Sequence, residues 1–448
     1  METNIIYDEK NDYLYILLYK LGSGSYATVW FSIEIKSFYK NLKTNNMNKD
    51  IFGYKALKIH NEEDYDEGIL ETTIKSKLTL NNKKCDYINY PTSYFIHDES
   101  IVIVVYNVAF GSLYDLMKKY NYKYTRDVID KIMPQLVESI KFVHDCGYIH
   151  TDIKPENFLI AGTNKLQNDI QEYVKNYNLV KKIYNVFKRP MKIGDVLEAI
   201  EPVIYKFIKD IGTVHDMIVN ICPEDEGDEG DEGDSEEDGE DEGGSDSNSS
   251  VDTNCSSYDS VADMYDHCYD KFHIDELLQK LGQEGEGEGG DCGAEGAEGA
   301  EAGEVVGKIE TVLLTDFGLM IHQNTKNKTV GSRYYRAPEI VLGLPYDKTI
   351  DYFALGCTLH ELEKGEVLLN VEGCTKRRVY DKDAVHISFF NRLYMHDDDH
   401  FKAFISMIQK GQRMSYVCVD MNVDNVQPIT SYHASLMHPQ REKRGLPS

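Results

Sequence analysis

The chain has 448 residues, 41% of them apolar, and a formal net charge of −28. That length allows two or three domains around a sizeable core, and nine cysteines with no Cys-x-x-Cys pair exclude a disulfide framework and a zinc module while suiting a reducing compartment. Met1 to Lys10 carries no apolar signal core and no run of about 18 apolar residues occurs, so neither secretion nor a membrane span is expected, and the expected location is the cytoplasm.

Two apolar, aromatic-rich runs, Tyr13 to Tyr19 and Val29 to Ile33, read as strands. Between them, Leu21-Gly22-Ser23-Gly24-Ser25-Tyr26-Ala27-Thr28-Val29 is a Gly-x-Gly-x-x-Ala loop. Its two glycines let a backbone approach phosphate oxygens with no Cβ in the way; a plain hairpin turn is the alternative. Another strand, Tyr54 to Ile59, ends in Ala56-Leu57-Lys58; Lys55 competes with Lys58 but has Gly53, not Ala, two positions before it. Helical spacing follows, with Glu71, Ile74 and Leu78 on one face and Glu67 one turn before Glu71. Tyr106 then closes an apolar run ahead of Asn107 to Ala109.

His150-Thr151-Asp152-Ile153-Lys154-Pro155-Glu156-Asn157 gathers four fixed polar identities in eight residues. Asp152 can accept a proton, Lys154 can offset phosphate charge, Pro155 stiffens the loop, and Asn157 offers an oxygen to a hard cation. Next, Ile170, Tyr173, Val174, Tyr177, Val180 and Ile183 recur at helical spacing, and a second such stretch runs from Ile193 to Phe207. Two low-complexity tracts come after, Glu224 to Glu242 and Glu284 to Glu304, too poor in apolar groups to offset the entropy of ordering and so expected to be disordered. One helix is expected between them, within Tyr258 to Leu281. Residues 224–304 hold 30 acids and two lysines, which accounts for the whole net charge and leaves the rest of the chain neutral. That sign disfavours nucleic acid and suits attraction of, or competition with, a basic partner; a solvated repeat with no specific role is the alternative. Val312 to Thr315 reads as a strand delivering Asp316-Phe317-Gly318, then come Tyr335-Arg336-Ala337-Pro338-Glu339 and Asp351 in Asp-Tyr-Phe-Ala-Leu-Gly.

This series resembles the eukaryotic-type protein kinases, in the Ser/Thr class because Lys154 follows Asp152. Tyr335 to Glu339 resembles the CMGC group of cyclin-dependent, MAP and dual-specificity kinases. Thr151 in place of Arg, with a long spacer after the loop, resembles the SR-protein kinases, which phosphorylate Arg-Ser-rich proteins. Gly331 to Tyr335 looks closer to the dual-specificity branch. The resemblance covers roughly residues 13 to 160 and 305 to 370.

It implies an α+β, two-lobed protein-kinase fold, with a small antiparallel β lobe and hinge at 1–109 and a large helical lobe at 110–161 and 305–448. Residues 162–304 are the insertion; removing them would leave 305 residues, the size of a two-lobed kinase, and its helices are expected to pack on the large lobe or on each other. The implied cofactors are ATP and Mg2+. Leu21, Gly22, Ser23, Gly24, Ser25, Tyr26, Ala27, Thr28, Val29, Lys58, Tyr106 and Val108 would hold the nucleotide, with Asn107 to Ala109 as hinge. Asp152 would take the substrate proton, Lys154 stabilise charge, Glu71 brace Lys58, Asn157 and Asp316 bind metal, and Asp351 anchor the catalytic loop, an ordinary N-cap being its alternative. The implied partner is a protein substrate, basic or Arg-Ser-rich, for a monomer that binds neither nucleic acid nor membrane. Thr151 cannot pair with a phosphate as Arg does, which predicts activity without phosphorylation at Thr325 or Thr329. Glu339 has no evident partner, Arg413 being the suggestion, and Lys443-Arg444 is too short a basic run for a targeting address. The alternative function is a pseudokinase or a scaffold acting through its acidic spacer.

Overall fold

Alternating apolar residues in the first quarter of the chain build one antiparallel sheet. In the computed structural model, β1 (Ile5–Asp8), β2 (Tyr13–Ser23) and β3 (Ala27–Ile35) form a meander, α1 (Phe38–Thr44) follows, and β4 (Phe52–His60) pairs with β3 along its length. After α2 (Tyr65–Thr72) and α3 (Ile74–Lys77) come β5 (Ser93–His97) and β6 (Ile101–Tyr106), giving the order β1-β2-β3-β4-β6-β5. The structure describes residues 4–24, 26–44, 52–119, 123–186, 191–221, 309–325, 329–371, 382–411 and 435–446.

The spacing predicts one helix through Glu71, Ile74 and Leu78, and the structure breaks it at Thr73. The Thr72 and Thr73 hydroxyls donate to the carbonyls of Ile69 and Leu70, at 2.7 and 2.6 Å, in a run of three β-branched residues that favours helix poorly. Ile74 and Leu78 stay buried across the break.

The large lobe begins with β7 (Ala109–Ser112), α4 (Leu113–Lys119) and α5 (Arg126–Asp145). Ile129, Ile132, Met133, Leu136, Ile140 and Val143 recur at helical spacing on α5 and form its buried stripe. β8 (Tyr148–Ile149) and β9 (Phe158–Ala161) follow, then α6 (Lys165–Tyr177), α7 (Leu179–Asn185) and α8 (Ile193–Ile221). The chain returns at β10 (Val312–Leu314), which pairs antiparallel with β9, so the insertion sits inside a single hairpin. β11 (Ile321–His322) pairs with β8; α9 (Pro338–Val341), α10 (Thr349–Lys364), α11 (Lys382–Tyr394) and α12 (Asp398–Lys410) complete the lobe. Ile350 to Leu362 of α10 are buried without interruption, as expected of a helix at the centre of a lobe.

The insertion's helices pack on each other and against the small lobe, and the start of α6 also meets the large lobe, where Asn164 and Gln167 donate to the carbonyls of Phe110 and Ala109 in β7. Ile170, Val174, Ile183, Ile200 and Phe207 share one core with Leu14, Ile16, Phe31, Ile33 and Phe38 of the small lobe. The cause lies in β2 and β3, which carry apolar side chains on both faces: Tyr15 and Leu17 point into a second cluster, so the Leu14 and Ile16 face needs its own cover. Asn178, left-handed at φ 55°, divides the periodic run into α6 and α7. Both acidic tracts and Tyr258 to Leu281 lie outside the described residues. No helix among the described residues is long and apolar enough to cross a membrane.

Candidate active site

The glycine-rich loop joins β2 to β3. Gly22 pairs with Val29 and Ser23 with Thr28, and the Gly24 amide donates to the Ala27 carbonyl at 2.9 Å to close the turn; Ser25 lies outside the described residues. A Cβ on Gly22 would meet nothing within 4 Å, so packing leaves the space beside it open. Leu21 and Val29 lie against Ala56, Val104 and Tyr106, Ala27 is buried, and Tyr26 is exposed. The Val108 side chain instead joins the core under the insertion helices.

Lys58 and Lys55 are three apart on one strand and so face opposite ways. Lys55 donates to Asn107 Oδ1 at 2.7 Å. Lys58 Nζ lies 2.8 Å from Glu71 Oε2 and 3.1 Å from Asp316 Oδ1. Burial alone would lower the Lys58 pKa, but the two carboxylates outweigh it and hold the ammonium well above its ordinary range. Glu71 shows the converse: burial pushes its carboxyl up, and Lys58, helped by His60 and Tyr106, pulls it down to about 2. Glu71, not Glu67, is therefore the acid the structure brings to Lys58.

The catalytic loop hangs on Asp351. This buried carboxylate accepts from the amides of His150 and Thr151, both at 2.9 Å, and contacts His144 Nε2 at 2.8 Å. Thr151 takes φ 74°, and its hydroxyl donates to the Leu319 carbonyl at 3.0 Å. Lys154 Nζ lies 2.9 Å from Asp152 Oδ2. Burial would raise the Asp152 pKa, yet Lys154 and a hydroxyl bond from Ser332 outweigh it, keeping the carboxylate ionised and able to accept a proton. The Asn157 side chain donates to the Asp152 carbonyl at 2.7 Å.

Asp316 stands at the end of β10 with φ 60° and its side chain 45% exposed. Its carboxylate oxygens, with the Asn157 oxygen left over once the amide nitrogen is spent on Asp152, form a hard donor set that fits magnesium. Among the described residues no group of three or more His, Cys, Asp or Glu side chains is arranged to hold a metal ion, so a cation here would complete its shell with phosphate and water oxygens. The open space beside Gly22, the Lys58 ammonium and this oxygen pair fit a magnesium-bound triphosphate.

Two further groups escape the sequence reading. Ser332 donates to Asp152 Oδ1 through its amide at 3.0 Å and its hydroxyl at 2.6 Å, and receives Lys154 Nζ at 3.3 Å. Neighbouring Gly331 (φ 80°) is required, since a Cβ there would sit 2.7 Å from the Thr151 carbonyl oxygen. The partner of Glu339 is Arg444, bidentate at 2.6 and 2.8 Å; Arg413 lies outside the described residues. Arg444 is thus an internal strut and not part of an exposed basic run. Its place beside Lys443, 105 positions from Glu339, gave no local signal.

The model of the protein kinase domain matches residues 15–174 and 305–425. A protein of Acanthamoeba polyphaga mimivirus named as a serine/threonine-protein kinase is 25% identical over 421 residues, covering 85% of this chain and 71% of that protein. The serine/threonine-protein kinase AFC1 of Arabidopsis thaliana is 28% identical over 185 residues, 40% of this chain and 33% of its own length. The kinase SKY1 of Saccharomyces cerevisiae is 30% identical over 160 residues, 33% of this chain and 20% of its own. The chain thus spans a third or less of the plant and yeast relatives. The crystal structure of a kinase domain covers 100% of this chain and 95% of its own, with a TM-score of 0.52 at 12% identity, a likeness of fold alone. By its domain match, the chain belongs to the protein kinase domain family.

Proposed function

We propose that the chain transfers the γ-phosphoryl group of Mg-ATP to Ser or Thr hydroxyls of protein substrates, with basic, Arg-Ser-rich segments preferred. The observation that carries this reading is the convergence of Lys58, Asp316, Asn157, Asp152 and Lys154 at the junction of the two lobes. Asp152, ionised and held on Oδ1 by Ser332, orients the acceptor hydroxyl and takes its proton. Lys154 meets negative charge developing on the transferred group, and Lys58, fixed by Glu71, aligns the phosphates. Asp316 and Asn157 would hold magnesium, which when bound neutralises phosphate charge. The protein contributes positioning and a prearranged field.

A basic substrate is supported by one carboxylate near Asp152. Burial raises the pKa of Glu156, and the neighbouring Asp152 and Asp115 carboxylates raise it further against the opposing pull of Lys154. Glu156 Oε2 is buried without a hydrogen-bond partner. An arginine of the substrate would relieve both conditions.

The test is labelling from Mg-ATP of an Arg-Ser-repeat peptide and a Pro-directed peptide, beside Asp152→Ala. Turnover on the Arg-Ser peptide should fall about 10²-fold or more in the variant while ATP binding persists. Labelling of the Pro-directed peptide alone would remove the substrate preference and keep the enzyme. Labelling of neither, with ATP bound, would favour a pseudokinase or a scaffold.

A further inference from the structure

Glu71 has more partners than a brace for Lys58 needs. Its carboxylate, 2% exposed, meets Lys58 Nζ at 2.8 Å on Oε2 and accepts the Tyr106 hydroxyl at 2.5 Å on Oε1. His60 Nε2 lies 3.1 Å from Oε2 but off the line of a hydrogen bond, and it shares that oxygen with Lys58. The two oxygens are therefore held from two strands: Oε2 from β4, and Oε1 from β6 through Tyr106.

The second hold has a physical consequence. The terminal torsion of a glutamate is broad, so a carboxylate bound through one oxygen can swing about its last bond. Bound through both oxygens from two strands, it cannot. Close approach of the helix makes this possible: a Cβ on Gly68 would sit 2.7 Å from Val102 Cβ and 3.0 Å from His60 Cγ. Gly68 thus lets α2 lie against β4 and β6, and Glu71, three residues on, inherits that short distance. The Tyr106 ring packs with Ala56, Val102 and Val104, a role that phenylalanine would fill equally well. The hydroxyl is the surplus feature, and its partner is Glu71.

We propose that Tyr106 is a positioning residue for phosphoryl transfer: its hydroxyl fixes the Glu71 carboxylate so that Oε2 faces Lys58, and keeps α2 docked on β4 and β6. This rests on the kinase reading for its effect on turnover, though not for its effect on the helix.

Tyr106→Phe preserves the ring and removes the bond. The variant should lose about 3- to 10-fold in kcat, as expected when one hydrogen bond of ordinary net strength is removed. The KM for the peptide should not move, and Tm should stay within a few degrees. Amide hydrogen exchange across residues 65–72, read without any substrate, should quicken by about fivefold or more. In a Glu71→Gln background the same substitution should produce no further loss of kcat, because the bond it removes acts through that carboxylate. His60→Asn should have the smaller effect, since its contact is poorly aligned. Unchanged exchange in Tyr106→Phe would overturn the proposal whatever the enzyme does. So would a loss of kcat that simply adds to that of Glu71→Gln, since Tyr106 would then act on something other than Glu71.

Discussion

Two buried ion pairs built from similar acids do opposite jobs. Glu339 and Glu71 are each 2% exposed, but their cations differ. The Arg444 side chain is fully buried, and its planar fork spends its five donors on both Glu339 oxygens and on the carbonyls of His438, Pro439 and Thr349. Nothing is left over. The Lys58 side chain is 17% exposed and divides its ammonium between Glu71 and a half-exposed Asp316. A rigid, saturated fork fastens two distant segments, whereas a point charge on a flexible stem can be shared with a ligand. How completely a buried pair is satisfied separates a strut from a working group.

The largest test of that contrast is Arg444→Ala. It leaves Glu339 buried and uncompensated, and urea unfolding should show a loss of about 3–5 kcal/mol. A loss below about 1 kcal/mol would mean that the pair is no strut. Gly68→Ala attacks the other pair without touching either charge. The new methyl must push α2 off β6, costing about 1–3 kcal/mol in stability and withdrawing Glu71 from Lys58, so kcat should fall more steeply than stability alone explains. Acid should sharpen the picture further. The Glu71 carboxyl sits at about 2 against an ordinary 4.5, so the folded state binds this proton more weakly than the unfolded state. Its stabilising contribution is complete above about pH 4.5 and disappears as pH falls toward 2. Urea midpoints taken between pH 6 and 3 should therefore drop more in the wild type than in Glu71→Gln; equal slopes would contradict the shift. The smallest expected effect is none. Thr151 ties the catalytic loop to the Leu319 carbonyl with a neutral hydroxyl, so phosphatase treatment should leave activity unchanged. Loss of activity would show that a phosphate does what the hydroxyl was assigned.

Residues that work within a few positions of each other were legible in the sequence. Lys58 was set apart from Lys55 by having Ala56, where Lys55 has Gly53, two positions before it, and Asp152 and Asn157 lie five positions apart, so local geometry brings them together. Long-range partners were not legible. Arg444 reaches Glu339 across 105 positions, and Ser332 reaches Asp152 across 180. No periodicity records such meetings. The insertion shows a subtler limit. Helical spacing marked Ile170, Val174 and Ile183, which the structure buries in one core though on two helices, but such spacing specifies that something apolar must cover these residues and not which surface will. The break at Thr73 has a sequence correlate in three consecutive β-branched residues, Thr72 to Ile74, lying between apolar positions whose spacing alone suggests a continuous helix.

The pairing of β9 with β10 bears on how this gene can change. Between Ala161 and Val312 lie 150 residues where a hairpin needs only two. Loop-closure entropy grows with the logarithm of length, so the excess costs the fold about 4 kcal/mol in an ideal chain, and doubling it again would add only about 0.6 kcal/mol. Docking of α6 to α8 on the small lobe removes much of that span from the free loop. Length between the two strands is therefore almost neutral to natural selection on stability, and drift there can try out new segments beside a site whose own residues stay put.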